Sequence, residues 1–182
     1  MVLSKKFYLG SYLGGIIGGF ILMFIAGAII AASGQQPSDG AAMGAGLFYV
    51  LGLAVMLYAA IVTLVFVYKM WKAIQPANPR TTPGKAVGFL FIPIFNFYWI
   101  FVAFHGYTKD FNNYVGRPAL PENLALAYCI LVLVSIIPLI NFITSIAVII
   151  IFALLISKIC DAVNQLGASA PAGGQMPQPP AQ

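Results

Sequence analysis

Residues 7–33, FYLGSYLGGIIGGFILMFIAGAIIAAS, contain no charged side chain. One helical crossing of a bilayer needs about 20 apolar residues, because each residue of an α-helix adds about 1.5 Å to a hydrocarbon core about 30 Å thick. Lys5 and Lys6 precede this stretch as in a secretory signal. The apolar part of a signal, however, is only about 7 to 15 residues long. We therefore expect an uncleaved first transmembrane helix.

The composition of the whole chain also predicts a membrane protein. Of its 182 residues, 61% are hydrophobic and 7% are charged, whereas about 25% of a soluble domain is charged. Nine Lys and Arg with four Asp and Glu are too few to cover a water-soluble fold of this size. The net charge of +5 resides in bases that flank apolar stretches. This pattern is typical of membrane orientation, so we exclude nucleic acid as a partner.

Three further apolar stretches predict three more transmembrane helices. They begin near Gly46, Ala86 and Leu124. The loop between the first two spans, residues 34–40, contains no base and therefore lies outside by the positive-inside rule. Four crossings then place both termini in the cytoplasm. We expect an all-α, multi-pass integral membrane protein with four transmembrane helices.

Four bases follow the second span without an intervening acid. Between Asp39 and Asp110 the chain has no acidic residue, so these bases form a positive face. Each base near an anionic leaflet contributes about 1 kcal/mol of attraction. Membrane topology alone explains such a face, and a specific acidic lipid or protein partner is the alternative. The predicted headgroup-binding residues are Lys69, Lys72, Arg80 and Lys85.

The third and fourth spans both contain the sequence Ile-Pro-x-x-Asn-Phe. Pro93 and Pro138 lack a backbone N–H and displace the carbonyl four residues earlier, so we expect both helices to be kinked or broken there. Asn96 and Asn141 follow near the middle of the bilayer and carry amide donors for the freed carbonyls. The two asparagines either satisfy this backbone and bond between helices, or line a path for an ion or neutral solute, as broken helices do in transporters.

The loop at residues 107–123 has two alternative positions. Four crossings place it outside, although it contains Lys109 and Arg117. A third segment that enters the membrane and returns at Pro93 would instead place this loop inside with the other bases.

Small residues recur along the first helix. Gly10, Gly14 and Gly18 are spaced four residues apart, a spacing that lets two helix backbones approach closely in lipid. We predict that these glycines pack against a helix, either of the same chain or of a second copy.

The chain divides into a predicted four-helix transmembrane domain, residues 1–166, and a tail, residues 167–182. The tail is rich in Pro, Gly and Gln and cannot bury enough apolar surface to fold. We expect it to be disordered and cytoplasmic.

No catalytic constellation is evident in the sequence. A single histidine and two cysteines, Cys129 and Cys160, predict neither a metal site nor a disulfide framework, and we expect no cofactor. The leading hypothesis is a non-enzymatic interaction protein: an accessory subunit of a membrane partner, or a homo-oligomer. A small channel or transporter with a path past Asn96 and Asn141 is the alternative.

The stretch from Tyr68 to Tyr114 resembles a known family. It contains YKMWKAIQP, then TTPGKAVGFLFIPIFNFYWIF, then KDFNNY. This is similar to a family of uncharacterised small multi-span bacterial membrane proteins that share the motif P-G-K-A-V-G-F-x-F-I-P-x-F-N-x-Y-W. The resemblance implies a bacterial inner membrane and no catalytic activity.

Overall fold

The computed structural model describes residues 2–34 and 36–169, without the side chains of Leu139 and Ser169. The described residues form helices and connecting turns, with no β-strand among them. The prediction of an all-α protein is therefore confirmed. The α-helices are α1 (Lys5–Ala32), α2 (Asp39–Ala73), α3 (Pro83–Gly88), α4 (Phe95–Ile100), α5 (Tyr107–Val115), α6 (Glu122–Val134) and α7 (Pro138–Ser169).

Shorter helical segments connect some of these elements. Gln75–Ala77 is a 3₁₀ turn after α2, and Phe89–Phe91 is a 3₁₀ turn after α3. Phe101–Gly106 is a π-helix that joins α4 to α5. The chain from Phe95 to Val115 is therefore helical throughout, with a wider turn in its middle.

Three helical segments of the described chain are long and apolar enough to cross a membrane. They are Lys5–Ala32, Asp39–Ala73 and Ile140–Ala168. Side chains such as Phe24, which is 78% exposed, and Phe142, which is 79% exposed, lie on their surfaces. Lipid solvates such surfaces directly, whereas water does not. These three helices are compatible with a multi-pass membrane protein.

Contacts divide the chain into two compact units. One unit combines Met1–Lys5 with Leu64–Gln182, and the other is Lys6–Thr63. The second unit consists of α1 and the first part of α2. We refer to the unit that contains Leu64–Gln182 as the hairpin unit, because its chain reverses direction near each repeat proline.

Within the Lys6–Thr63 unit, glycines allow α1 and α2 to approach closely. A Cβ at Gly15 would lie 2.3 Å from the Cβ of Ala59, and a Cβ at Gly19 would lie 2.5 Å from Cγ of Met56. Gly52 on α2 has the same role, because a Cβ there would lie 2.9 Å from Cγ of Met23. Close backbone packing of this kind is the main source of helix association in lipid.

The predicted third span is not one continuous helix. From Pro83 the chain forms α3 and a 3₁₀ turn, leaves helical geometry at Ile92–Ile94, and resumes as α4. The interruption lies beside Pro93, where the sequence predicts a kink or break, but this stretch is not among the helices long enough to cross a membrane. The physical reason is the fixed φ and missing donor of Pro93, which interrupt the helical hydrogen bonds.

The predicted fourth span is likewise divided. α6 ends at Val134 and α7 begins at Pro138, with Ser135–Ile137 as the connection. The rings of Tyr128 and Phe152 stack with centroids 4.9 Å apart, so the two helices run side by side in opposite directions. The three-residue connection therefore reverses the chain between α6 and α7.

The predicted tail overlaps the last helix. α7 continues through residues 167–169, which the predicted tail includes. The rest of the predicted tail, residues 170–182, lies outside the described residues.

Candidate functional site

Within the hairpin unit, residues 80–110 form a hairpin around Pro93. A salt bridge joins the two ends of this hairpin. Arg80 Nη2 lies 2.7 Å from Asp110 Oδ1, and Arg80 Nε donates to both carboxylate oxygens at 3.0 Å. The backbone N–H of Arg80 also donates to Asp110 Oδ2 at 3.1 Å. Hydrogen bonding to Asp110 raises the pKa of Arg80 above its ordinary value, and partial burial opposes this shift. Arg80 therefore keeps its charge while being anchored to α5.

Gly106 provides the space in which Arg80 lies. A Cβ at this position would be 3.1 Å from Nη1 of Arg80 and 3.2 Å from its Cδ. A Cβ at this position would therefore require the Arg80 side chain to shift by a few tenths of an ångström. Neither Gly106 nor Asp110 carries a local sequence signal for this contact, because the two partners are distant in the chain.

The legs of the hairpin meet in pairs that are nearly symmetrical about Pro93. Trp99 Nε1 donates to the carbonyl oxygen of Ala86 at 3.1 Å. The ring of Phe89 lies 4.6 Å from that of Trp99 and 5.6 Å from that of Phe95. These contacts join residues before the turn to residues after it, so the chain folds back on itself at Pro93.

A tight turn reverses the chain between the two legs. The N–H of Phe95 donates to the carbonyl oxygen of Pro93 at 2.7 Å, which forms a γ-turn with Ile94 at its centre. Ile94 has φ +65° and ψ −51°. This conformation is strained for a β-branched residue.

The carbonyl groups four residues before the two prolines accept hydrogen bonds from backbone N–H groups. The carbonyl oxygen of Phe89 accepts from the N–H of Ile92 at 3.4 Å, and that of Val134 accepts from the N–H of Ile137 at 3.1 Å. The expectation that Asn96 and Asn141 donate to these two carbonyls is therefore wrong. Short 3₁₀-type turns supply the donors instead.

The two repeat asparagines lie in different local environments. Asn141 Nδ2 donates to the carbonyl oxygen of Ser135, and Asn141 Oδ1 accepts from Ser145 Oγ at 3.2 Å. Asn96 Oδ1 is buried and has no hydrogen-bond partner among the described residues. Within the described part of the chain, no hydrogen bond joins Asn96 to Asn141.

The π-helix after α4 is held by side chains of two other helices. The Trp71 indole N–H of α2 donates to the carbonyl oxygen of Ala103 at 3.1 Å. The Cys129 thiol of α6 donates to the carbonyl oxygen of Ile100 at 3.4 Å. Both donors pair carbonyls in or beside the wide turn. Cys129 is thus a buried packing residue with a weak hydrogen bond.

The loop at residues 107–123 is fixed to the same end of the hairpin unit as Arg80. Asn112 exchanges two hydrogen bonds with the backbone of Leu120, at 2.8 and 2.9 Å, and donates to Glu122 Oε1 at 3.1 Å. His105 Nδ1 lies 3.3 Å from the carbonyl oxygen of Glu122. A pocket between α5 and the end of α7 is lined by Arg117 and Gln165, among others.

The N-terminal residues bind the same end of α7. Asn164 Oδ1 accepts from the N–H of Leu3 at 2.7 Å, and Asn164 Nδ2 donates to the Leu3 carbonyl at 2.9 Å. Lys5 Nζ lies 2.8 Å from Asp161 Oδ2. The sequence gives no signal for these contacts beyond the polar character of the helix end.

The four predicted headgroup residues differ in availability. Lys72 and Lys85 are exposed, and Lys69 is half-buried. Arg80 is already paired with Asp110, although 43% of its side chain is exposed. Its charge is thus largely compensated within the protein.

The three predicted packing glycines are not equivalent to Gly15 and Gly19. No heavy atom of the described residues beyond its own helix lies within 4 Å of a Cβ built at Gly10 or Gly14, and at Gly18 the nearest is Val55 Cγ1 at 3.9 Å. The α1–α2 contact therefore uses the neighbouring glycines.

No protein-family model, curated protein or solved structure matches this chain. The resemblance in the stretch from Tyr68 to Tyr114 remains a prediction. Among the described residues, no three His, Cys, Asp or Glu side chains are grouped as metal ligands.

Proposed function

We propose that residues 107–123 lie on the cytoplasmic side of the membrane, together with the loop that contains Arg80. The salt bridge between Arg80 and Asp110 supports this orientation, since it joins the chain before the hairpin to the chain after it. All eight bases of the hairpin unit then face the cytoplasm, as the positive-inside rule favours. These bases are Lys5, Lys69, Lys72, Arg80, Lys85, Lys109, Arg117 and Lys158.

Four crossings remain in this proposal, but the third is a different segment. They are α1, α2, α6 with its connection, and α7. The 13 residues of α6 extend about 20 Å, which is shorter than a core of about 30 Å, and a bilayer accommodates a short span by thinning locally. Both termini are then cytoplasmic. The resemblance to bacterial proteins supports the inner membrane as the location.

Cysteine labelling tests the orientation. Single Ser38→Cys and Asn113→Cys variants are treated with a membrane-impermeant maleimide in intact spheroplasts, with the wild type as blank because Cys129 and Cys160 are buried. We expect Ser38→Cys to react at once and Asn113→Cys only after permeabilisation. Reaction of Asn113→Cys in intact spheroplasts would contradict the proposal.

The protein in this proposal is a non-enzymatic interaction protein that associates through α1. A contrast between glycines supports this proposal. A Cβ built at Gly15 or Gly19 would collide with α2, whereas a Cβ built at Gly10 or Gly14 has no such neighbour within 4 Å among the described residues. The two open glycines are spaced like a dimerisation motif for membrane helices. A second copy of the chain, or a helix of a membrane partner, fits this face.

Oligomer measurements with matched variants test this function. We expect wild-type protein in lipid nanodiscs or gentle detergent to be a dimer by light scattering or photobleaching. Gly10→Leu and Gly14→Leu should weaken the dimer about tenfold, which is about 1.4 kcal/mol. Gly46→Leu is the control, because that position on α2 also has no neighbour within 4 Å. A wild type that is monomeric and has no co-purifying membrane partner would refute the proposal.

A channel or transporter is the second candidate, because Asn96 Oδ1 is buried and has no hydrogen-bond partner in the part of the chain that the structure describes. A solute or ion passing this oxygen would supply the missing interaction. Flux into reconstituted vesicles that is lost in Asn96→Leu or Asn141→Leu would favour this candidate. Vesicles without flux, together with a stable oligomer or partner, would favour the interaction protein.

A further inference from the structure

The tip of the hairpin around Pro93 is an exposed apolar surface. Phe91 is 67% exposed, Ile94 is 81% exposed and Tyr98 is 63% exposed. Ile92 and Phe97, which lie between them, are exposed as well. A contiguous apolar surface of this kind marks a binding surface for protein or lipid.

The length of the hairpin corresponds to one leaflet of a bilayer. The six residues of α3 and the three of the following 3₁₀ turn extend about 15 Å in all, at about 1.5 and 2.0 Å per residue. This is about half of a 30 Å hydrocarbon core. The tip therefore reaches about the middle of the bilayer when its base lies at the headgroups.

Several backbone groups of the tip form hydrogen bonds with one another. The carbonyl oxygens of Phe89, Ile92 and Pro93 accept from the N–H groups of Ile92, Asn96 and Phe95. The carbonyl oxygen of Ala86 accepts from the Trp99 indole. Internal pairing lowers the cost of irregular backbone at membrane depth, because lipid offers no hydrogen bonds.

Charged groups are found at the base of the hairpin and are absent from the sequence of its tip. Lys85 lies in α3 and Lys72 at the end of α2, and both are exposed. Arg80 and Asp110 close the base. Between Lys85 and Lys109 the sequence has no Asp, Glu, Lys or Arg. The apolar tip fits the acyl chains of a leaflet, and the basic residues at the other end of the hairpin fit its anionic headgroups.

We propose that the tip of this hairpin, residues 91–98, binds the acyl chains of the cytoplasmic leaflet, while Lys72 and Lys85 contact its anionic headgroups. The hairpin then occupies one leaflet and does not reach the other surface. This inference rests on the orientation proposed above. It is independent of whether α1 forms a dimer.

Depth-dependent quenching tests this inference. Ile94→Cys carries an environment-sensitive fluorophore in vesicles of phosphatidylethanolamine and phosphatidylglycerol, and nitroxides are placed either on the headgroup or along the acyl chain. We expect the acyl-chain nitroxide to cause the larger loss of fluorescence, and aqueous iodide to cause little. Asn113→Cys, on exposed α5 surface, should show the reverse order. Phe91→Cys repeats the measurement in case Ile94→Cys does not fold.

Three results would overturn the inference. Reaction of Ile94→Cys with an impermeant maleimide from outside would show that the segment crosses the membrane. Strong quenching by iodide from the inside would place the tip in water. Protection from both nitroxides and iodide would show that protein, such as a second copy, covers the tip. A failed dimer assay with normal quenching would refute only the interaction function.

The headgroup contacts have their own readout. The depth of the fluorophore at residue 94 should differ between vesicles with and without phosphatidylglycerol. The double variant Lys72→Gln/Lys85→Gln should lose most of this difference. Lys109→Gln, on the exposed surface of α5, is the matched control. An unchanged depth difference in the double variant would contradict the assigned role of the two lysines.

Discussion

Arg80 and Asp110 are 30 residues apart in the chain and are joined by a salt bridge of 2.7 Å between Nη2 and Oδ1. The segment between them contains the apolar stretch that the sequence predicts as a third membrane-spanning helix. Because a straight crossing would separate its ends by about 30 Å, the contact requires a chain that returns. The pair therefore determines how this part of the protein is arranged.

The first prediction concerns this pair. Arg80→Asp and Asp110→Arg should each lower the stability by about 1 kcal/mol, because the pair is partly exposed and its geometry is bidentate. The double variant should recover most of the loss. The apparent melting temperature in detergent measures the effect. Equal losses in the double variant and the single variants would show that the charges do not interact.

The pH dependence follows from the raised pKa of Arg80. A cationic group whose pKa is raised on folding contributes stability that is fully present below its unfolded pKa and is lost only when the pH rises through the folded value. We therefore expect this contribution to be constant across neutral and mildly alkaline pH. A difference between wild type and Arg80→Ala that decreases over this range would contradict the assignment.

The second prediction concerns Trp99. In Trp99→Phe the ring contacts with Phe89 and Phe95 remain, but the carbonyl oxygen of Ala86 loses its donor. We expect a loss of about 1 to 3 kcal/mol. Tyr98→Phe is the control and should change stability by less than about 0.5 kcal/mol, because that side chain is exposed. Thermal unfolding that is equal for the two variants would argue against the indole hydrogen bond.

The third prediction compares glycines of α1. Gly15→Ala should lower stability by about 1 to 3 kcal/mol, because its Cβ would collide with the Cβ of Ala59, which cannot rotate away. Gly19→Ala should cost less, since the side chain of Met56 can adopt another rotamer. Gly14→Ala should be neutral or slightly stabilising, because the site is open and alanine favours a helix. Unfolding of the three variants in detergent gives this order, and any other order would contradict the described packing.

The fourth prediction concerns the strained turn at the hairpin tip. Ile94→Gly should raise stability by about 1 kcal/mol, because glycine adopts a φ of +65° without steric cost. Ile94→Ala is the matched control, since it removes most of the side chain but keeps the Cβ that causes the strain. We expect a higher melting temperature for glycine than for alanine. Equal temperatures would indicate a different backbone conformation at this residue.

Much of the membrane character was predictable from local patterns. The uncharged residues 7–33 predict α1, and the corresponding apolar stretch after Gly46 predicts most of α2. Pro93 and Pro138 mark the two places where helical structure is interrupted, since proline removes a donor wherever it occurs. The donors that Asn96 and Asn141 were expected to supply come from backbone groups, because the tight turns place these closer.

The role of each glycine was harder to predict. Gly10, Gly14 and Gly18 have the regular spacing, but Gly15 and Gly19 are the positions that contact α2. Both sets satisfy the same four-residue period. Only the rotation of α1 about its own axis selects between them, and that rotation depends on the shapes of both helices.

The sequence by itself predicted apolar helices long enough to span a membrane and the places where helices are interrupted, because hydrophobicity and proline geometry are local properties. Only the tertiary structure decided that the chain returns at Pro93, since that depends on the contact of Arg80 with Asp110 and of Ala86 with Trp99. Hydropathy describes whether a segment prefers lipid. It does not indicate whether the segment continues straight or folds back on itself.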